Sequence, residues 1–442
     1  MVTVSSPAWF PSDSEVRAML QQRIDVGQGT GLVVGLLEGG ETRIIACGKS
    51  DGAGERPLDG ATVFEIGSVT KVFTAATLAD MVRRGEVQLH QPVAELLPKS
   101  VTVPTQPERE ITLVDLATQH SGLPRMPSNV APRDPANPYA DYSVEQLYEF
   151  LSHYELTRTP GNRYEYSNLG FGLLGHALAL KAGKPYEALV IERVLDPLGM
   201  NDTRITLTPE MKARLAAGHD VGGARVPNWD FPTLPGAGAL RSTANDLLRF
   251  LAANLDSNAS AISADLRACH VPRLEAGGPN VKIGLAWHML DNFGAVIHMH
   301  NGGTGGYRSF IGYDPAIRVG VVLLANAAND IDDLALHLLN PRYPIKTFVK
   351  HEEVRVGPER LALLDGEYSL APTFVLTVTH EGDRMFVQAT GQSKLQAFAE
   401  SDTSFFFKAV EARVTFVRDA SGRGAEITLH QNGRSAPGKR VR

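Results

Sequence analysis

Cysteine is scarce in this chain, with two residues, Cys47 and Cys269, among 442. The two could pair in principle, but isolated cysteines without a CxxC spacing or a nearby ligand cluster are typical of buried free thiols. Free thiols favour a reducing compartment, so we expect a cytoplasmic location. The periplasm or the medium is the alternative if a signal peptide was removed.

The sequence also lacks a long apolar run and a dense run of basic residues. Its apolar stretches, such as VGVVLLANAA, fall far short of the roughly 20 residues that a membrane-spanning helix needs. The stretch MVTVSSPAWFPSDSEV has neither a basic start nor a continuous apolar segment, so it does not read as a signal peptide. The net charge is −6, with 43 basic and 49 acidic residues. We therefore expect neither a membrane nor a nucleic acid as partner.

What remains is the composition of an ordinary globular protein of two or three domains, 43% apolar and 21% charged. Residues 13–24 have a helical pattern, and GLVVGLLEGG and ETRIIACG predict a hairpin closed by a Gly-Gly turn. Strand patterns return in AVIHMH, YRSFIGY and RVGVVLLAN. We predict an α/β (α+β) domain at residues 1–340, with one antiparallel sheet and a helical part at about 86–284.

The chain changes character after a connector at residues 341–360 that contains prolines and charges. Short alternating patterns then follow at close spacing, with turn sequences such as HEGD and DASGRG between them. The predicted strands are FVLTVTH, RMFVQAT, LQAFAE, SFFFKAV, RVTFVRD and EITLHQN. They predict a second, all-β domain at residues 361–442, a small sandwich or barrel.

One pentapeptide, GKSDG around Ser50, matches the GxSxG motif of many serine hydrolases. A nucleophile elbow needs a strand before the serine and a helix directly after it, so that the helix N-terminus supports the oxyanion. The stretch DGAGERPLDG, which follows Ser50, cannot start a helix. We therefore interpret Ser50 as a turn residue.

A second serine, Ser68, has the context that Ser50 lacks. In FEIGSVTKVFTAATLADMVRRGEVQL, apolar residues recur at three- and four-residue spacing, which predicts a helix from Ser68 to near Gly85. Ser68 and Lys71 then share one face of the first turn, beside the partial positive charge of the helix N-terminus. The alternative is a helix cap followed by a solvated lysine.

Two later stretches add polar groups to this picture. YEYSNLGFGLLG places Tyr166 and Asn168 two residues apart, before an apolar run spaced by glycines. MHNGGTGGYRSF places His300 two residues before Gly302, with Gly303 next, after a strand pattern. A glycine-rich strand edge lets a substrate approach the backbone closely, and an amide there can pair with that of a nucleophilic serine as an oxyanion hole.

In this order, SVTK, YSN and HNG resemble the three motifs of the SxxK serine hydrolases, the group of class C β-lactamases, DD-peptidases and family VIII carboxylesterases. The stretches ITLVDLATQHSGLP and PGAGALRSTANDLLRFL are similar to that group as well. The resemblance covers about residues 10–340 and implies the β-lactamase/transpeptidase-like fold, an antiparallel sheet flanked by helices with a helical insertion. The C-terminal domain resembles the lipocalin-like barrel attached to some members.

The resemblance also implies acyl transfer to water through an acyl-enzyme on Ser68. Lys71 and Tyr166 would share the proton of the attack, and which of them is the general base stays open. The amides of Ser68 and Gly303 would hold the oxyanion. The substrate-binding residues that the resemblance implies are Asn168, His300, Gly302 and Gly303.

The third motif departs from that of β-lactamases, which carry Lys-Thr-Gly there. Their lysine is a permanent cation for the substrate carboxylate, whereas His300, with a reference pKa near 6.5, is mostly neutral at pH 7. An ester without a carboxylate loses nothing by this change. A carboxylesterase for short-chain esters, with weak β-lactamase activity, is therefore the first hypothesis. The alternatives are a D-amino-acid or D-Ala-type peptidase and a penicillin-binding receptor that never deacylates.

The remaining candidates have plainer interpretations. His298 and His300 form an HxH pair on one strand face, but no third ligand accompanies them, so we expect no metal and no cofactor. Trp229 either lines an acyl pocket or packs within a Pro-rich loop. As partner we expect a small-molecule ester, a β-lactam or a short peptide, and a homo-oligomer stays open.

Overall fold

The computed structural model describes residues 8–52, 56–107, 109–256, 260–348, 351–392, 394–431 and 434–442. The chain divides into two compact units, one built mainly from residues up to Ile345 and the other mainly from Lys346–Arg442. The finer domain boundaries, with a connector at residues 341–360, stay a prediction. Within the described part, no helix is long and apolar enough to cross a bilayer. Both cysteines are buried, and they do not form a disulfide with each other.

The first unit is built around an antiparallel sheet. Its strands are β1 (Gly31–Glu38), β2 (Glu41–Gly48), β3 (Phe64–Glu65), β4 (Arg241–Ser242), β5 (Leu274–Glu275), β6 (Val281–Ile283), β7 (His288–Asn292), β8 (Ala295–Gly303), β9 (Arg308–Asp314) and β10 (Val319–Ala325). Eight of them form one sheet in the order β2-β1-β10-β9-β8-β7-β6-β5, and β3 pairs with β4. The sheet joins both ends of the first 340 residues, so the predicted antiparallel sheet is confirmed.

Helices cover both faces of this sheet. They are α1 (Asp13–Asp25), α2 (Thr70–Arg83), α3 (Leu113–Ala117), α4 (Val144–His153), α5 (Asn168–Ala182), α6 (Tyr186–Val190), α7 (Pro209–Ala213), α8 (Ala244–Leu255), α9 (Ser263–Cys269) and α10 (Asp332–Leu339). Leu248 of α8 approaches Gly35 of β1, and Leu339 of α10 approaches Gly312 of β9. The strand register aligns Gly35 with Ile311, the residue before Gly312, so α8 and α10 lie on opposite faces. Strand β10 is accordingly buried along its whole length.

Helix α2 lies inside the first unit, and all its residues from Thr70 to Met81 are buried. The sequence predicted a helix from Ser68 to near Gly85. The structure instead forms a 3₁₀ turn over Gly67–Val69 and continues it as the α-helix. Because α2 is surrounded by protein, the side chains of its first turn are removed from water.

The second unit is a closed antiparallel barrel. After α11 (Pro358–Leu361), its strands are β11 (Gly366–Ala371), β12 (Phe374–Glu381), β13 (Arg384–Ala389), β14 (Leu395–Ala399), β15 (Ser404–Phe406), β16 (Ala412–Arg418), β17 (Gly424–Gln431) and β18 (Arg434–Arg440). The barrel closes because β11 pairs with both β12 and β18. Tyr368, Phe405 and Ile427 are among the side chains that fill its core. The predicted all-β barrel is confirmed, and it is consistent with a lipocalin-like domain.

Candidate active site

Ser68 lies in the 3₁₀ turn that leads into α2, where the backbone makes an unusually close approach to β8. Gly67 has a φ of +46°, and a Cβ built on it would come within 2.7 Å of the Gly303 amide nitrogen. A Cβ on Gly302 would come within 3.0 Å of the Ser68 amide nitrogen. Glycine is therefore required on both sides of the contact, which brings the backbone around the Ser68 amide close to that around the Gly303 amide.

The helix-cap interpretation of Ser68 does not fit the structure. The residue at the N-cap of α2 is Val69, and the helix start has no side-chain cap hydrogen bond. The partner of Ser68 is Lys71, whose Nζ lies 2.9 Å from Ser68 Oγ. The lysine is not solvated either, because its side chain is fully buried.

Lys71 Nζ has two further contacts, 2.9 Å to Asn168 Oδ1 and 2.6 Å to the Ala237 carbonyl oxygen. Burial, and secondarily the positive charge of Arg125, hold the pKa of Lys71 well below its ordinary value. A neutral amine has two hydrogens and one lone pair. It can donate to both oxygens and still accept a hydrogen bond from Ser68, so these three contacts satisfy it completely.

Asn168 and Tyr166 come from the segment that enters α5. Asn168 is the first residue of this helix, and its Nδ2 donates to the Tyr139 hydroxyl at 2.9 Å, which turns Oδ1 toward Lys71. The Tyr166 ring centroid lies 4.9 Å from Lys71 Nζ. Burial raises the pKa of Tyr166 above its ordinary value, although a hydrogen bond with Ser68 opposes the shift. Tyr166 is therefore a neutral phenol that can donate a proton.

His300 lies on β8 and is almost fully buried. Its Nδ1 lies 2.6 Å from the Asn301 carbonyl oxygen, so Nδ1 carries the hydrogen and Nε2 is a bare acceptor. Burial, and secondarily the neighbouring His288 and Lys71, hold the pKa of His300 well below its ordinary value. The neutral ring is therefore favoured at pH 7.

His298, the other half of the HxH pair, takes part in a separate cluster. Its Nδ1 lies 3.0 Å from Nδ1 of His270, and the Tyr313 hydroxyl contacts both rings. Burial lowers the pKa of His298 to about 4. The cluster is a network of neutral hydrogen-bonding groups, and the two histidines of the HxH pair do not share a partner.

A cavity of about 420 Å³ opens onto Ser68, and its lining is strongly charged. Of the predicted site residues, Ser68, Tyr166, Gly302 and Gly303 line it. Sequence reasoning missed the other residues of the lining: Arg125, Asn301, Arg308, Asp330 and Asp332. The one signal for them is position, because Arg125 directly follows the SGLP stretch and Asn301 lies inside the third motif.

Arg125 is one of two arginines in this lining, and it lies beside Tyr166. Its guanidinium carbon lies 5.1 Å from the centroid of the Tyr166 ring, over its face. Its backbone oxygen accepts hydrogen bonds from the amides of Asn168 and Leu169, at 3.0 and 3.2 Å. The start of α5 therefore fixes the backbone of Arg125 while the side chain stays exposed to solvent.

The two alternative residues from the sequence lie outside this chemistry. Ser50 is buried, and its Oγ donates to the Arg56 carbonyl oxygen at 2.5 Å. Trp229 donates through Nε1 to the Ala136 carbonyl oxygen at 2.8 Å, and its ring centroid lies 5.6 Å from that of Tyr139. Trp229 thus packs against Tyr139, the residue whose hydroxyl orients Asn168.

The fold and the site define a serine hydrolase of the β-lactamase and D-alanine carboxypeptidase type. The chain belongs to the β-lactamase family, whose profile matches residues 16–340. Residues 350–439 match a domain of unknown function, DUF3471. The resemblance drawn from the three motifs is thereby confirmed at the level of the family.

The chain is similar to proteins named as D-alanyl-D-alanine carboxypeptidases and to proteins named as β-lactamases. The D-alanyl-D-alanine-carboxypeptidase/endopeptidase AmpH of Escherichia coli is 30% identical over 350 residues, which cover 74% of this chain and 89% of the relative. A β-lactamase of Pseudomonas fluorescens is 26% identical over 348 residues, 71% of this chain and 92% of the relative.

Solved structures confirm the fold. A class C β-lactamase from Rhodobacter sphaeroides superposes with a TM-score of 0.65 at 26% identity, over 74% of this chain and 98% of that one. The D-alanine carboxypeptidase AmpC of Burkholderia cenocepacia superposes with a TM-score of 0.62 at 24% identity, over 75% of this chain and 100% of that one. The predicted β-lactamase-like fold is therefore confirmed.

Proposed function

We propose that this enzyme hydrolyses short peptides that end in a D-amino acid, through an acyl-enzyme on Ser68. The observation that carries the proposal is the charged lining of the Ser68 cavity, with two arginines and two aspartates. A short aliphatic ester has no charge for these groups to bind, and it gains most from an apolar pocket. A peptide with charged termini can pair with groups of both signs. The name of the relative AmpH supports the same choice.

Lys71 serves as the general base in this proposal. Its Nζ is in direct contact with Ser68 Oγ, and its neutral form is favoured by burial. As Ser68 Oγ attacks the carbonyl carbon, its proton moves to Lys71. The carbonyl oxygen becomes an oxyanion held by the amides of Ser68 and Gly303. Tyr166, whose raised pKa keeps it protonated, is the poorer base and the better donor.

The second half of the reaction returns every proton. Collapse of the tetrahedral intermediate breaks the C–N bond, and the leaving nitrogen takes a proton from Tyr166, which Lys71 reprotonates. Water then attacks the acyl-enzyme and gives a proton to Lys71. Ser68 leaves with that proton, so the peptide and one water become an amine and an acid. Asn168 holds the Lys71 amine in place throughout.

Carboxylesterase activity remains the second candidate, because of one specific observation. His300 is buried and neutral, so this chain lacks the lysine that holds a β-lactam carboxylate. Esters do not need that cation. For the same reason, we propose that β-lactam turnover is weak.

A panel of matched substrates tests the proposal. kcat/KM is measured for N-acetyl-D-alanyl-D-alanine, its L,L isomer, p-nitrophenyl butyrate and nitrocefin, with Ser68→Ala as the inactive variant and Ser50→Ala as the matched serine control. We expect hydrolysis of the D,D peptide above that of the L,L isomer, at a parent-like rate in Ser50→Ala. Turnover of the butyrate ester without any D-peptide cleavage would overturn the proposal in favour of the esterase.

A further inference from the structure

The third motif leaves a specific chemical gap in this enzyme. A substrate with a carboxylate beside the scissile bond needs a cation, and His300 cannot supply one, since its ring is buried and its Nδ1 is bound to the Asn301 carbonyl. Lys71 cannot supply one either, because its amine is enclosed by three protein oxygens. Any cation for the substrate has to come from another part of the cavity wall.

Two arginines line that wall, and they differ in how far they are engaged by protein. Arg308 donates from Nε to the Ala328 carbonyl oxygen at 3.0 Å, and a Cβ built on Gly303 would collide with its guanidinium. Arg308 is therefore packed against Gly303 at the end of β8. Arg125 is exposed, and within the described part of the chain no carboxylate pairs with its guanidinium.

The position of Arg125 also indicates which half of a substrate it faces. Its guanidinium lies over the ring of Tyr166, the residue that protonates the leaving group in the proposed function. The leaving group must approach the Tyr166 hydroxyl to receive the proton. A charge carried by the leaving group therefore comes close to Arg125 and not to the acyl side of the cavity.

We propose that Arg125 binds the carboxylate of the leaving group and so makes this enzyme selective for substrates with a free C-terminal carboxylate. This inference rests on the proposed function for its leaving-group side. A guanidinium offers a planar fork of N–H donors that matches a carboxylate, and it keeps its charge at every pH of interest. Arg125 thus binds the substrate carboxylate that the lysine of the third motif binds in β-lactamases.

Arg125 has a second effect that the test must separate from the first. Its charge also helps to lower the pKa of Lys71, so its removal changes the rate for every substrate. This common effect cancels in the ratio of kcat/KM for two substrates that differ only in the carboxylate. The ratio for N-acetyl-D-alanyl-D-alanine over its C-terminal amide is therefore the quantity to measure.

Four proteins are compared in this ratio: the full-length parent, Arg125→Gln, Arg125→Lys and Arg133→Gln. Arg133 is a matched control, because it also lies in the segment between α3 and α4 but is 91% exposed and outside the cavity lining. We expect the parent to favour the acid by about 10- to 100-fold, as a charge-assisted hydrogen bond allows. Arg125→Gln should bring the ratio close to one, Arg125→Lys should keep part of it, and Arg133→Gln should keep all of it.

A second substrate pair separates this inference from the proposed function. 3-Carboxyphenyl butyrate and 3-carbamoylphenyl butyrate carry the same difference on the leaving group of an ester. If only the esters are cleaved and Arg125→Gln removes the acid preference, the inference stands and the peptidase proposal falls. If D-peptides are cleaved with equal kcat/KM for acid and amide, or with a ratio that Arg125→Gln leaves unchanged, the inference falls and the peptidase stands. Fluorophosphonate labelling of each variant shows that its Ser68 site is folded.

Discussion

The surroundings of Lys71 change the pKa of its amine. Burial and the charge of Arg125 lower its pKa, so the amine loses its proton at a lower pH than an exposed lysine does. We expect kcat/KM for p-nitrophenyl butyrate to rise with pH as Lys71 deprotonates. Arg125→Gln removes one of the two causes, so the rise of kcat/KM should move to higher pH. A rise that stays at the same pH would show that another group controls it.

Substitution of Lys71 by arginine tests the same residue while keeping a long side chain with N–H donors at this position. Arginine stays protonated in proteins, so it cannot act as a base. We expect Lys71→Arg to lower kcat/KM by about 10² to 10⁴ for every substrate. A variant within threefold of the parent, with intact thermal stability, would exclude Lys71 as the general base.

The buried position of His300 changes the pH dependence that we expect for substrate choice. A histidine with the reference pKa gains a proton in mild acid, but burial, with His288 and Lys71 nearby, lowers the pKa of His300 well below that value. The ratio of kcat/KM for nitrocefin over p-nitrophenyl butyrate should therefore stay level in the parent between pH 5.5 and 8. His300→Lys should raise the ratio if the longer side chain reaches the cavity. A parent ratio that climbs in acid would mean that the ring titrates.

At the scale of elements, the turn before α2 and the edge of β8 make the oxyanion site together in the proposed mechanism. Gly67→Ala adds a Cβ that collides with the Gly303 backbone, at a φ that disfavours alanine. We expect kcat to fall by about 10² or more, the loss typical of one oxyanion donor. Gly85→Ala, at the other end of α2, is the matched control. It also has a positive φ, +73°, but open space around it, so it should cost stability and leave kcat unchanged.

The elements also show what sequence patterns can and cannot predict. Strands β1 and β2 and helix α2 were predicted because their spacing and turns are local. Strand β18, RSAPGKR, has no alternating pattern and contains a proline. It is a strand because β17 and β11 pair with it from both sides. Arg125 was missed for a related reason: an exposed arginine in a loop acquires a role only through the fold that brings it to Tyr166.

At the scale of the molecule, each unit has its own apolar core. Every residue assigned a role in the site, from Ser68 to Asp332, belongs to the first unit. A chain that ends after Ile345 should therefore still label at Ser68 with fluorophosphonate. A folded truncation, judged by its circular dichroism, that fails to label would show that the barrel completes the site. The cytoplasmic location and the oligomeric state stay predictions.

The central claim is that Ser68 forms the acyl-enzyme, and peptide mapping tests it most directly. The full-length protein is reacted with a fluorophosphonate, digested and analysed by mass spectrometry, beside Ser68→Ala and Ser50→Ala. We expect the adduct on the peptide that contains Ser68 in the parent and in Ser50→Ala, and no adduct in Ser68→Ala. An adduct on Ser50, or labelling that survives Ser68→Ala, would contradict the account.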